Sequence, residues 1–181
     1  MQLIIRVVLI DADTQRIHAV MKLLLNVFSN LGIPYFTTII REYNSTIYYV
    51  VLGKVKPEVL ISNNVDILVS MESLEVLRAL GFLKLNGKVL LFPDKVSLPS
   101  EVKQYLVYPN MRLIINIIDN YGADLYMVNT QKKLKSEEYA MIILGFISAI
   151  MKISKEDLLK VLRNEKFYNE QLFDMGYELI S

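Results

Sequence analysis

The sequence predicts a doubly wound α/β domain: a mostly parallel sheet, one antiparallel strand pair and a helical C-terminal segment. Three observations carry this. Short apolar runs of strand type alternate with helical stretches from residue 6 to residue 128. Two of the runs, 35–40 and 45–52, are joined too tightly for a crossover and should pair antiparallel. From residue 136 onward only helical spacing remains.

Residues 6–10, RVVLI, form an apolar run suited to a strand covered on both faces. The turn Asp11-Ala12-Asp13-Thr14-Gln15-Arg16 follows. Asp13 or Thr14 is placed to cap the next helix, because a side-chain oxygen there can accept the free amides of the first turn. Ile17, Val20, Met21, Leu24, Leu25 and Phe28 recur at helical spacing, and Gly32 supplies a left-handed stop. Strands are predicted over 35–40 and 45–52, then over 66–71. A helix should start at Ser73 and end at Gly81. Asn86-Gly87 reads as a turn into a strand over 88–92, closed by Pro93. Residues 93–109 look irregular; 111–120 reads as a helix stopped by Gly122, and 124–128 as a strand. Residues 136–151 are apolar on nearly every face and call for deep burial. Ser154, with acids following, opens another helix, and a short one spans about 169–179. No repeat or linker divides residues 1–181, so one domain is expected.

With 181 residues the chain can bury one core. Its 53% hydrophobic content is high for a soluble domain, yet no apolar run reaches the roughly 18 residues of a membrane span. Arg6 interrupts the first apolar run, which argues against a secretory signal. Surplus apolar surface is then best explained by partner subunits, so a cytoplasmic homo- or hetero-oligomer is expected. A net charge of +1 gives no pull toward nucleic acid or membrane; Lys132, Lys133 and Lys135 are only a short cluster. The absence of cysteine excludes disulfides, thiol nucleophiles and cysteine-held iron–sulfur clusters in this chain. One histidine, His18, excludes a multi-histidine metal site.

In such a fold, ligands bind beyond the carboxyl ends of the parallel strands. Residues 11–16, 71–73 and 93–95 should therefore surround one crevice. Asp11 and Asp13 are the sharpest candidates there: they could hold a divalent cation or act as an acid–base pair. The plainer alternative is that Asp13 caps the helix and Asp11 bonds loop amides. Either way, a glycine-free loop beside two carboxylates is a poor phosphate cradle. Glu72 and Glu75 suit a helix start, where the macrodipole favours anions, though Glu72 could also reach the crevice. His18 fits a surface or interface position. Tyr43, Tyr48 and Tyr49 fit a strand at an interface, since no basic stripe accompanies them. A receiver-type phosphorylation site fails because residues 66–69 lead into Ser70, Met71 and Glu72 rather than an aspartate, and Lys95 is displaced by Asp94. Asn63-Asn64 lacks the upstream Gly-Asp-Gly of a thiamine-diphosphate motif.

Residues 66–93, DILVSMESLEVLRALGFLKLNGKVLLFP, resemble the γ subunit or γ domain of 2-oxoacid:ferredoxin oxidoreductases, including the pyruvate and indolepyruvate enzymes. In that family a strand of the type "aDvllalE" precedes "leAlr-yl-yLkpgGtvivn". Asp66, Glu72, Leu74, Glu75, Leu77, Arg78, Leu83, Lys84 and Gly87 fall in matching places. Ile142-Ile143-Leu144-Gly145 matches the family's "vlLGal" helix, 153–162 its "lp-e-l--ai" stretch, and Asn169, Phe173 and Gly176 its closing "N--aF--G". Two loops depart. Where the family has GxGGQG stand Asp11, Ala12, Asp13, Thr14, Gln15 and Arg16, retaining only Gln15. Where it has a loop close to "sqRGGsv" stand residues 41–46, retaining only Ser45.

The resemblance implies a subunit that binds no thiamine diphosphate or iron–sulfur cluster itself. It would pack against thiamine-binding α/β-type subunits, border their cleft on the coenzyme A side, and meet ferredoxin only indirectly. The complete enzyme would oxidatively decarboxylate a 2-oxo acid to its acyl-CoA. The crevice residues carried over are Asp11, Asp13, Thr14, Gln15, Arg16, Ser45 and Glu72, a degenerate loop with no catalytic assignment. An alternative is a stand-alone α/β ligand-binding or regulatory module that has lost the redox role.

Overall fold

The computed structural model describes residues 4–42, 44–54, 56–94, 108–130, 133–163 and 167–180. Tyr43, Lys95 and Lys132, and most of the stretch 93–109 expected to be irregular, lie outside them.

Six strands form one mixed sheet: β1 (Ile5–Asp11), β2 (Tyr35–Glu42), β3 (Ser45–Leu52), β4 (Val65–Ser70), β5 (Leu83–Leu91) and β6 (Asp124–Met127), in the order β2-β3-β1-β4-β5-β6. β1, β4, β5 and β6 run parallel, and β3 is antiparallel to both β2 and β1. The tight β2–β3 connection thus forms a hairpin, as its length requires. The hairpin inserts β3 against β1, with Asp11 opposite Thr46. All eight residues of β3 are buried, which follows from its place between two strands with a covered face on each side.

The two faces carry separate cores. On the first, α1 (Thr14–Asn30) packs with the C-terminal helices over Val7, Leu9, Val50, Ile67 and Leu90. On the second, α2 (Glu75–Ala79) and α3 (Met111–Tyr121) cover Val8, Ile10, Tyr49, Leu68 and Val89. The alternation of partners along β1 and β4 follows from the two-residue period of a strand. α4 (Ser136–Met151) has ten consecutive buried residues, Tyr139 to Ser148, because it lies between α1 and α6 (Glu170–Glu178). α5 (Lys155–Leu162) connects the two. Among the described residues no helix is long and apolar enough to cross a membrane.

Several boundaries differ from the sequence expectation. The segment from Ser73 is a turn before α2 begins at Glu75, and a single 3₁₀ turn at Leu80–Phe82 replaces the last helical turn. Asn86-Gly87 does not precede β5 but lies within it. Val65 pairs with Leu83 and Ile67 with Lys88, so β5 bulges between those pairs. Asn86 takes a left-handed φ of 58°, and a Cβ at Gly87 would lie 2.7 Å from the Leu83 side chain. The bulge needs this glycine. Ser154 precedes α5 without capping it by its side chain. Tyr48 and Tyr49 are not at an open interface: they are 8% and 0% exposed, on opposite faces of β3.

Candidate functional site

The carboxyl ends of β1, β4 and β5 converge as the strand order requires, and one side chain ties them together. Asp11, the last residue of β1, is fully buried. Arg16, in the first turns of α1, folds back on it in a bidentate pair: Nε donates to Oδ2 at 2.5 Å and Nη2 to Oδ1 at 2.7 Å. Nη2 also donates to the Met71 carbonyl at the end of β4 (3.2 Å). Nη1 reaches Asp94 Oδ2 beyond β5 (3.4 Å) and the Tyr139 hydroxyl of α4 (3.3 Å). The guanidinium lies 5.1 Å from the centre of the Tyr139 ring, close enough for a cation–π contribution.

Tyr139 itself donates to Asp94 Oδ2. The Asp94 carbonyl accepts from both the amide and the hydroxyl of Ser73, each at 2.9 Å. Residues 11–16, 71–73 and Asp94 therefore meet in one crevice, as the topology implied. Its described polar side chains bond to one another.

Burial opposes the charge on Arg16, but the bond to Asp11 and its field more than offset this, so the guanidinium is held more firmly protonated than usual. Burial likewise pushes the Tyr139 hydroxyl well up, reinforced by its bond to Asp94. Neither group changes charge at any pH a folded protein meets. The guanidinium and the phenol thus act as a fixed brace.

Asp13 is exposed and caps α1: its Oδ1 accepts from the Gln15 and Arg16 amides, both at 3.0 Å. Asp11 Oδ1 accepts from the Asp13 amide at 3.1 Å. The amides that would face a phosphate at this helix start are already used. Thr14 joins α1 to β3 by a hydrogen bond between its Oγ1 and that of Thr46 (2.8 Å). Gln15 is exposed and contributes its amide to the cap.

Glu72 is 1% exposed, and its Oε2 accepts from the Leu74 and Glu75 amides at 2.9 and 3.0 Å, closing the turn into α2. Ser45 is buried at the start of β3 and does not join the Arg16 cluster. His18 is half-buried, its Nδ1 within 2.5 Å of the Tyr48 hydroxyl. Among the described residues no group of three or more His, Cys, Asp or Glu side chains is placed to hold a metal ion.

Two members of the cluster carry no local signal of their role. Asp94 lies 78 residues from Arg16 and Tyr139 lies 123 away. The one available hint was that Tyr139 is the only side chain with a polar tip in the run 139–147, YAMIILGFI.

This topology is an α/β fold of the kind found in a γ subunit of a keto/oxoacid ferredoxin oxidoreductase. The γ subunit of a keto/oxoacid ferredoxin oxidoreductase from Geobacter sulfurreducens superposes with a TM-score of 0.58 at 14% identity, covering 97% of this chain and 98% of that one. Pyruvate oxidoreductase subunit PORC from Thermotoga maritima gives 0.54 at 11% identity, covering 98% and 93%. The 2-oxoglutarate:ferredoxin oxidoreductase of Magnetococcus marinus, solved with 2-oxoglutarate, coenzyme A and succinyl-CoA bound, gives 0.56 at 17% identity. It matches over 98% of this chain, which spans only 31% of that longer one. At these identities the likeness is one of fold. No family model matches the sequence, and no curated protein matches it significantly.

Proposed function

We propose that this chain is a γ-like subunit of a cytoplasmic 2-oxoacid:ferredoxin oxidoreductase, one that braces the assembly and binds no cofactor itself. The fold supports the γ assignment, since two separate γ-type subunits match it over nearly their whole length. The observation that carries the second half is the Arg16 cluster. A diphosphate at the first strand-to-helix turn needs free amides and close backbone approach. Here the amides of Gln15 and Arg16 are bonded to Asp13, and the space between the strand ends holds a guanidinium already paired with Asp11. These residues do not fit a phosphorylated ligand in that position.

In place of ligand binding, the crevice residues fix geometry. Arg16 locks three strand ends and α4 into one arrangement, so the rim they form is rigid when it meets partner subunits. Thiamine diphosphate, iron–sulfur clusters and coenzyme A then belong to those partners or to surfaces shared with them, and ferredoxin is met only through them.

The test is affinity recovery of the tagged chain from its native host, combined with coenzyme A titration by calorimetry. Co-purification of thiamine-dependent subunits, with no heat of binding for the chain alone, is the expected result. Recovery of the chain without any such subunit overturns the assignment. Coenzyme A seated with its diphosphate against residues 12–15 overturns the argument from the site.

A further inference from the structure

The two edges of the sheet are protected unequally. β6, at one end, is only four residues long and starts with Asp124; short, charged edges resist pairing with another chain. β2, at the other, runs for eight residues in unbroken register with β3. Residues 35–40, YFTTII, hold no charge, and 35–42 contain no proline, glycine or lysine. Ile39 is 47% exposed there. The strand that leads into residues 95–107 is β5, four positions across the sheet and about 19 Å from β2. A long, regular, apolar edge is a template for a further strand.

One hydrogen bond fixes which backbone groups this edge presents. The Gly53 amide donates to the Pro34 carbonyl at 2.7 Å, in the same register as the β2–β3 ladder. Bonded positions alternate along an antiparallel pair. Phe36, Thr38, Ile40 and Glu42 therefore bond to β3, whereas Tyr35, Thr37, Ile39 and Arg41 turn their N–H and C=O groups outward. Among the described residues no hydrogen bond reaches those outward groups.

These four positions specify the occupant. A second β2 laid antiparallel uses all four in one register alone, with Thr38 on the twofold axis. Tyr35 then stands opposite Arg41, and Thr37 opposite Ile39, in both directions, with about eight backbone hydrogen bonds between them. The side chains match in the same register. Phe36 meets Ile40, an aromatic against a β-branched residue, and Thr38 meets Thr38 of the other copy. The Arg41 cation comes beside the negative face of the Tyr35 ring, and Ile39 is covered. A slip to either neighbouring register of the same parity leaves an outward residue of each copy without a partner on β2 and loses the Phe36–Ile40 pair.

We infer that β2 is a homodimerisation edge, pairing antiparallel about a twofold axis at Thr38 with β2 of a second copy of this chain, so that the two sheets join into one. Such a contact is isologous: each copy offers the same edge. It is about 27 Å long but narrow, at the small end of specific interfaces, so the association is weak and reversible. The inference does not rest on the γ-like reading, since neither the Arg16 cluster nor the likeness to other folds enters it.

The chain has no cysteine, so single-cysteine variants report the register. Facing non-bonded positions bring Cα atoms to about 4.5 Å, within disulfide range, so Thr38→Cys should cross-link to its copy under mild oxidation. Arg41→Cys is the control: its two copies lie about 20 Å apart in this register and should cross-link at least about tenfold more slowly. Sedimentation velocity measures the association itself, with an expected wild-type Kd of about 10–100 micromolar. Ile39→Pro removes an outward N–H that β3 does not use, so it should fold, by circular dichroism, and weaken the dimer at least about tenfold. Ile39→Lys, which puts a charge at an exposed edge position, should weaken it as well. A wild-type monomer at about millimolar concentration, a dimer indifferent to both substitutions, or Arg41→Cys cross-linking as fast as Thr38→Cys overturns the proposal. Capture of thiamine-dependent subunits by Ile39→Pro leaves the γ-like reading standing beside a separate dimer edge. Loss of those subunits together with a monomeric wild type gives the edge to a partner subunit and overturns the second copy as its occupant.

Discussion

Removing the Arg16 side chain should cost more than any other single change at the crevice. In Arg16→Met the apolar stem is kept and the guanidinium is lost. Asp11, 0% exposed, then keeps the Asp13 amide, at 3.1 Å, as its hydrogen-bond donor among the described residues. Breaking a buried pair from one side leaves an uncompensated charge and costs about 3–5 kcal/mol. At about 2–4 °C per kcal/mol for a chain of this size, the midpoint of thermal unfolding should fall by roughly 6–20 °C. The double variant Asp11→Asn/Arg16→Met removes both charges and should recover much of that loss, with a coupling energy of about 1–3 kcal/mol in the double-mutant cycle. Urea denaturation of the wild type, both singles and the double, at neutral pH and at two salt concentrations, measures it. Salt should have little influence, because the pair is out of water. If Arg16→Met costs under about 1 kcal/mol, or if the two singles add without coupling, the guanidinium is not the brace described here.

Two further outcomes concern other parts of the fold. α4 and α6 cross at Gly145 and Gly176, where a Cβ would lie 2.1 Å from the Phe173 carbonyl oxygen and 1.9 Å from that of Ile142. Because backbone cannot rotate out of the way, Gly176→Ala should force the helices apart and cost about 1–3 kcal/mol or more. Gly81→Ala, with open space around it, should be nearly neutral in the same melt. At the far end of the sheet, hydrogen bonds from Arg6 and then Lys54 hold the Glu58 carboxyl down at about 2, well below its ordinary value. A carboxylate depressed in the folded state adds stability above its unfolded pKa and loses it as the pH falls toward the folded one. Wild type should therefore lose stability relative to Glu58→Gln between about pH 4.5 and 2, and the two curves should run parallel above pH 5. A constant difference across that range would show that the Arg6 and Lys54 contacts contribute nothing.

Much of the architecture was legible because it depends on local patterns. Strand and helix periods located the described strands and α-helices, though they begin β5 five residues late and miss the 3₁₀ turn, and the short 35–52 segment forced the hairpin. The glycine stops at Gly32 and Gly122 are both left-handed as needed, at φ 67° and 81°. What local pattern could not show was where an element bends without ending. Asn86-Gly87 is chemically a turn, yet β5 absorbs it as a bulge because the flanking residues still find partners on β4. Tyr48 and Tyr49 were assigned to an interface because a strand buried on both faces and both edges cannot be told, from its own sequence, from one at a subunit boundary. The pairing of β3 with β1 on one side and β2 on the other decides the matter.

The site divided along the same line. Asp13 as a cap is a three-residue pattern and was readable. The pairing of Asp11 with Arg16 was not, because five residues across a strand–turn–helix junction match no helical or strand spacing. Yet this pairing changes the meaning of the loop. Two acids beside a strand end suggest a cation, and a glycine-free turn suggests only a lost phosphate site. With Arg16 counted, Asp11 is already compensated, Asp13 is occupied with amides, and neither carboxylate has reason to attract an ion. The chemistry needed at the end of β1 is the same in both designs: something must satisfy the polar groups where three strands stop. A glycine-rich loop leaves that task to a ligand, and the structure then depends on binding. Here an arginine from the chain performs it permanently, so the strand ends are as ordered without a ligand as they could be with one. That exchange suits the bracing role proposed above, and would not suit an enzyme that must bind and release at the same spot.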